Sequence, residues 1–177
     1  MIDPGHGGSD PGAVYSGVRE SDVNLNIAKL ASVLLQGRGI LTHLTRSSDT
    51  FVSLADRVRI AEEQGADYFI SIHCNAAANP RANGIETWQF AGSMRGACLA
   101  HDVHDRVVAI TNAWDRGVKK TDSLYVLKRT SMPAILIECG FLSNLMEREM
   151  LKEETYQQSI AGAIAEGVDK YIRRGTS

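Results

Sequence analysis

The stretch Asp67-Tyr68-Phe69-Ile70-Ser71-Ile72-His73 decides the class of fold. Its apolar residues run almost unbroken, as in a buried strand, and a histidine ends it. Working outward, strand-like runs recur at 40–45, 84–90, 124–127 and 134–137, and a very short one opens the chain. Helical patterns lie between them. Asp22 is the expected N-cap of a helix through Gln36, closed by Gly37, with Leu25, Ala28 and Val33 on its apolar face. Ser53 caps the next, which carries Leu54, Val58 and Ala61 and stops at Gly65. From Ser93 to Trp114 the residues Leu99, Val103, Val107, Ile110 and Trp114 are spaced by three or four, and a final helix from Thr155 to Arg173 has the stripe Tyr156, Ile160, Ile164, Val168 and Tyr171. Alternation of this kind predicts an α/β domain with a largely parallel sheet covered on both faces. Residues 1–174 form the expected domain, and 175–177 a frayed end or the start of a linker.

The chain has 177 residues, 44% hydrophobic and 23% charged, with a net charge of −2. Its longest apolar runs are strand-sized, shorter than the roughly 20 residues of a bilayer-spanning helix, so it reads as not membrane-spanning. A near-neutral balance without a dense Lys/Arg block leaves no footprint for nucleic acid. Cys74, Cys98 and Cys139 show no Cys-x-x-Cys spacing and read as small buried hydrophobes. No secretory signal precedes Met1-Ile2-Asp3, which predicts either a cytoplasmic product or a trimmed module.

Four residues carry the candidate chemistry. His6 sits in the Gly-rich loop Asp3-Pro4-Gly5-His6-Gly7-Gly8, and His73 closes its strand on the same face as Phe69 and Ser71. Glu20, in the connection leaving the His6 loop, can face one cation together with His6. The alternatives are a hydrogen-bonded turn histidine for His6, a carboxylate partner for His73, and an exposed helix-start carboxylate for Glu20. Glu138 follows Ala134-Ile135-Leu136-Ile137, a run too apolar for the surface. Desolvation there raises a carboxyl pKa into the range of a general base, the alternative being an ion pair with Arg129 or Arg46. Two imidazoles and one carboxylate around an open position are the ligand set of a catalytic zinc site, suited to activating water against an amide.

Taken together, Asp3–Gly8, Arg19-Glu20, Thr45-Arg46, Ser71-Ile72-His73-Cys74-Asn75 and Met132–Asn144 resemble the zinc-dependent N-acetylmuramoyl-L-alanine amidases of bacterial cell-wall hydrolases and phage endolysins, the Amidase_3 type. The resemblance covers nearly the whole chain. It implies a single α/β domain with a mixed sheet of about six strands, one catalytic zinc held by His6, Glu20 and His73, and Glu138 as the catalytic carboxylate. The implied reaction cleaves the amide between the lactyl group of N-acetylmuramic acid and L-alanine of the stem peptide. Asn75 and Glu86 are the expected substrate-binding or supporting residues. The implied partner is peptidoglycan, met in the cell wall by a monomer whose wall-binding domain, if any, lies outside this chain. An endolysin released at lysis or a trimmed secreted module fits that setting. Cys74 and Cys139 depart from the family's small or apolar residues, and strand alternation predicts that both thiols turn away from the metal. No family-type helical plug is expected between His73 and Glu138, which leaves the cleft open.

His101 and His104 are expected on a solvated helix flank, His43 on a partly exposed strand, and Trp88 and Trp114 in the core. Two rival readings remain. One is a non-catalytic wall-binding or regulatory protein on the same fold, against which the complete set of four residues speaks; the other is a zinc metallopeptidase or amidohydrolase with a small soluble substrate.

Overall fold

The computed structural model describes residues 1–175. In chain order the elements are β1 (Ile2–Pro4), a small antiparallel hairpin of β2 (Val14–Tyr15) and β3 (Val18–Arg19), α1 (Glu20–Gln36), α2 (Leu54–Glu63), β4 (Phe69–Asn75), β5 (Ile85–Phe90), α3 (Met94–Thr111), β6 (Asp115–Thr121), α4 (Tyr125–Arg129), β7 (Ala134–Phe141), α5 (Leu145–Lys152) and α6 (Glu154–Gly175). The main sheet has five strands in the order β1-β4-β7-β5-β6. The pairs β1/β4, β4/β7 and β5/β6 are parallel, and β5 runs antiparallel to β7. A single α/β domain with a mixed, mostly parallel sheet is thus what the sequence reading anticipated.

The two faces of this sheet are covered unequally, and that inequality makes the site. On one face Ile70, Ile72, Ile135 and Ile137 pack with apolar residues of α1, α3 and α6 into the larger core. Cys74 and Cys139 belong to the same cluster, so both thiols face away from the opposite surface, as alternation predicts. The other face is covered, among the described residues, by the shorter α2 and α4, whose Ala61, Val126 and Leu127 pack on Phe69, Ala134 and Leu136. Following period two along β4 and β7, that face passes from Phe69 through Ser71 to His73, and from Ala134 through Leu136 to Glu138. The covered end is apolar. The uncovered end is where the titratable groups stand.

Several expectations need correction. The sheet has five strands, not six: among the described residues, 40–45 reach β1 through a single bridge, Ile2 to Leu44, in which the Ile2 amide donates to the His43 carbonyl and the Thr45 amide donates to the Ile2 carbonyl. The run 124–127 is not a strand: Leu124 is an extended N-cap and 125–127 open helix α4. Val126 and Leu127 are buried while Tyr125 stays exposed, and a run this short does not distinguish the two periodicities. The polar Asp-Arg-Gly-Val-Lys-Lys-Thr of β6 forms the edge strand, where charged side chains are tolerated and discourage edge pairing. Helix α1 begins at Glu20, which puts Asp22 in the first turn instead of at the cap. Val33 is 66% exposed, the buried stripe being Ile27, Ala28, Ala31 and Leu35. Ser53 and Ser93 do cap α2 and α3, accepting from the amides of Asp56 and Gly96.

Trp114 is not core. Helix α3 stops when Asn112 takes a left-handed φ of 53°, and Trp114 beyond it is 69% exposed. His104, expected in solvent, is buried and bonded to Thr87 Oγ1 and Asp115 Oδ1, tying α3 to β5 and β6, whereas His101 and His43 are exposed. Trp88 is half-buried against the smaller cluster. Helix α5, capped by Asn144, was not anticipated. Gly175, placed in the tail by sequence, is the last residue of α6; Thr176 and Ser177 lie outside the described residues.

Candidate functional site

Three side chains from distant parts of the chain converge at one edge of the sheet. His6 follows β1, Glu20 opens α1, and His73 lies near the end of β4. One potential ligand atom from each lies within 4.8 Å of the others. Glu20 Oε1 is 3.2 Å from His6 Nε2 and 2.9 Å from His73 Nδ1, and the imidazoles meet edge to face with centroids 4.9 Å apart. His6 and His73 keep 26% and 19% side-chain exposure, so the corner opens to solvent, while Glu20 is almost fully buried.

The electrostatics suit a cation. Burial alone would lower the His6 pKa, but Glu20 and Asp10 outweigh it and raise it to about 9. Burial likewise opposes ionisation of Glu20, and hydrogen bonds from His6 and His73 reverse that, holding its pKa well below the ordinary carboxylate range. A buried carboxylate pressed between two imidazoles is the arrangement that a divalent ion with nitrogen and oxygen ligands matches, with proton release from His6 as it binds. The donor set therefore fits zinc.

The loop that delivers His6 is held tightly. His6 has a left-handed φ of 59°, a strained conformation for a residue with a Cβ. Two buried arginines hold it there. Arg57 donates to the carbonyls of Pro4, His6 and Val52 and to Asp3 Oδ1, while Arg46 donates to Pro4, Gly5, Ser48 and Ser21. Asp3 itself also accepts from Thr45 and Ser71, which satisfies both its oxygens. Gly5 is needed because a Cβ would come within 2.2 Å of the His73 ring; at Gly12 one would meet Glu20 Oε2 at 2.5 Å. Asp10 bonds His6 Nδ1 at 2.8 Å, leaving Nε2 to face Glu20. Glu20 Oε2 accepts from the Ala13 amide, and Oε1 also accepts from Cys74 N and Asn24 Nδ2.

One strand along, Glu138 is in register with His73, so the two side chains share the uncovered face. Its Oε2 is buried and has no hydrogen-bond partner among the described residues. Among the described residues Glu138 forms no ion pair with Arg129 or Arg46, the alternative that sequence left open; Arg46 is committed to backbone carbonyls. Desolvation, only partly offset by His73, pushes the Glu138 pKa up to about 7.

On the far side of Glu138, antiparallel pairing brings Glu86 into register with it. Glu86 is saturated: Oε1 accepts from Asn75 Nδ2 and Trp88 Nε1, and Oε2 from Arg116 Nε and Lys119 Nζ. Its pKa is lowered because these donors outweigh burial. Asn75 is thereby fixed at the lip of β4, its Oδ1 accepting from the Ala76 amide. The sequence-predicted His6, Glu20, His73 and Glu138 thus come together, with Asn75 and Glu86 beside them. Asp10, Arg57, Arg116 and Lys119 were not foreseen. An acid in the same loop as a ligand histidine was the available signal for Asp10, since such histidines generally use their second nitrogen; nothing local marks Arg57, on α2.

Comparison with known proteins identifies the family. A family model described as N-acetylmuramoyl-L-alanine amidase matches residues 1–170. The chain is 42% identical over 178 positions to N-acetylmuramoyl-L-alanine amidase LytC of Bacillus subtilis (strain 168), covering 98% of this chain and 35% of LytC. It is 37% identical to the endolysin of Bacillus phage SPP1, covering 97% of this chain and 65% of that protein. N-acetylmuramoyl-L-alanine amidase AmiC2 of Nostoc punctiforme superposes with a TM-score of 0.93 at 40% identity, covering 98% of this chain and 96% of that one. The chain spans about a third of LytC and about two-thirds of the endolysin.

Proposed function

The chain belongs to the N-acetylmuramoyl-L-alanine amidase family, and from that premise we propose that residues 1–174 form a zinc-dependent catalytic domain that cleaves peptidoglycan between the lactyl group of N-acetylmuramic acid and L-alanine of the stem peptide. His6, Glu20 and His73 hold the metal in this reading. Zinc bound there supplies a Lewis acid for the scissile carbonyl and acidifies the attacking water. Glu138 takes a proton from that water at its unpartnered Oε2 and returns it to the alanine nitrogen as the amide breaks. A carboxyl group near neutrality can do both. Asp10 and Glu20 fix the orientation of His6, and Asn75, tethered by Glu86, offers an amide beside the reacting centre. The work is done outside the cytoplasmic membrane, where peptidoglycan lies, by a monomer that uses whatever wall-anchoring segment accompanies it. No helix among the described residues is long and apolar enough to cross a membrane.

One observation carries the reading: three metal-type ligands converge beside a buried carboxylate oxygen that has no hydrogen-bond partner among the described residues. The test is digestion of purified peptidoglycan with and without a chelator, scoring new alanine amino groups and new reducing sugar ends together. Amine release that stops on chelation and returns with zinc is expected. Reducing ends without amines would replace the amidase by a glycosidase, and neither product would favour a binding protein.

A further inference from the structure

Across the open face the chemistry-bearing groups stand in strand order: His6 after β1, His73 on β4, Glu138 on β7, Glu86 on β5, then Arg116 and Lys119 on β6. Cleavage gives this row a polarity, and the inference rests on the amidase reading for that step alone. The carbonyl oxygen of the scissile amide belongs at the metal corner and its nitrogen at Glu138, which returns the proton. The peptide attached to that nitrogen therefore leaves the metal corner past Glu138, toward β5 and β6.

What it meets there is a surplus of positive charge. Arg116 and Lys119 both converge on Oε2 of one buried carboxylate, Glu86, and each keeps about a third of its side chain in solvent. Two cations share one anion. They are also braced by aromatic rings, Lys119 over Trp88 at 5.1 Å and Arg116 over Phe141 at 4.9 Å, which keeps their heads from wandering. Glu147, the other carboxylate near Arg116, is occupied by the amides of Gly84 and Phe141. The groove that His6 and His73 border is lined by the apolar Phe51, Leu54, Leu124 and Tyr125; its charged members are Asp3, Asp10, which is bonded to His6, and Arg57, which is buried and spent on Asp3 and three carbonyls.

We propose that Arg116 and Lys119, held side by side by Glu86, form a subsite for a carboxylate of the stem peptide one or two residues beyond the first alanine. The spacing agrees: the two cationic heads reach back to Glu86, whose strand lies about 4.8 Å from that of Glu138, and a carboxylate on the second residue stands at most about two extended residues, at about 3.4 Å each, from the scissile nitrogen. Glu86 then acts as a positioning residue, and the pair discriminates a free α-carboxylate on the second residue, γ-linked D-glutamate, from its amide.

Direct titration of the wild-type chain with the synthetic tripeptide L-Ala-γ-D-Glu-L-Lys, carrying that carboxylate either free or amidated, tests this at low salt by calorimetry. The free acid binds about tenfold tighter, as expected for a charge-assisted contact. Lys119→Met and Arg116→Met each shrink the preference, and Lys119→Arg retains it. With muramyl peptides as substrates the loss falls on KM while kcat holds. Equal affinity of the wild type for the two tripeptides overturns the proposal, as does a preference that survives Lys119→Met. Thermal melts identify any variant that fails to fold, and the wild-type comparison then decides alone. A carboxylate preference without hydrolysis of any muramyl peptide would leave the subsite standing and sink the amidase reading instead.

Discussion

The metal corner and the acid corner are next-door neighbours built on opposite rules. Around His6, Glu20 and His73 nearly every polar atom is spoken for, by Asp10, by the amides of Ala13 and Cys74, and behind them by two buried arginines. Glu138, one strand away, has a buried oxygen with no hydrogen-bond partner among the described residues. The contrast teaches what each corner is for. Ligands must arrive in fixed directions before the ion does, so hydrogen bonds behind them are useful. A proton carrier must let go, so a permanent partner would hold its charge in one state.

Substitution at each corner should break this comparison apart most visibly in turnover. Glu138→Gln keeps the shape of the acid corner and leaves the ligands untouched, so stoichiometric zinc is expected by elemental analysis with activity reduced by about 100- to 10,000-fold. His73→Ala removes a ligand and should lose metal and activity together. Equal zinc loss in the two variants would show that Glu138 belongs to the metal corner, and the division would collapse.

The buttress should matter next, and for stability as much as for chemistry. Arg57→Met leaves Asp3 buried without its cation and releases the carbonyls of Pro4 and His6. Breaking such a pair costs about 3–5 kcal/mol, read as a drop in the denaturant midpoint. A variant as stable as the parent would mean that Thr45 and Ser71 suffice to hold Asp3 and that the loop does not depend on α2. Asp10→Ala should cost less. It removes only the partner of His6 Nδ1, and the expected effect is about a tenfold weakening of zinc affinity in a competition titration, with little change in folding.

How much of this was legible beforehand follows the same division. The four convergent residues were readable because each stands at a junction between a strand or helix start and a polar or glycine-rich segment, as Glu138 does after Ala134–Ile137. The sheet order was not. Nothing in 115–121 resembles a strand by hydrophobicity, because an edge strand needs little apolar surface; its position, and so that of Arg116 and Lys119, appears only when β5 turns antiparallel to β7. Trp114 misled for a related reason. Helical spacing carried the stripe two residues beyond Asn112, whose left-handed cap ends the helix on local backbone grounds that hydrophobic periodicity does not register. His104 was misplaced because one of its partners, Asp115, opens β6, the strand that sequence did not show, and the other, Thr87 on β5, is brought to α3 only by the fold.

The smallest expected effect sharpens the comparison in the folded state itself. Burial raises the Glu138 pKa from 4.5 to about 7, so between those values the folded chain keeps a proton that the unfolded chain has released. The unfolded state therefore binds fewer protons in that window, and this group's contribution to stability, fully present below pH 4.5, is lost as pH rises through about 7. Glu138→Gln removes the dependence without changing the shape. In the presence of a chelator, since a nearby cation would favour the carboxylate, the variant should gain in Tm over the parent by several degrees more at pH 8 than at pH 5. The same gain at both values would mean that water or a partner already solvates Glu138 in the folded chain, and the acid corner would then be no barer than the metal corner beside it.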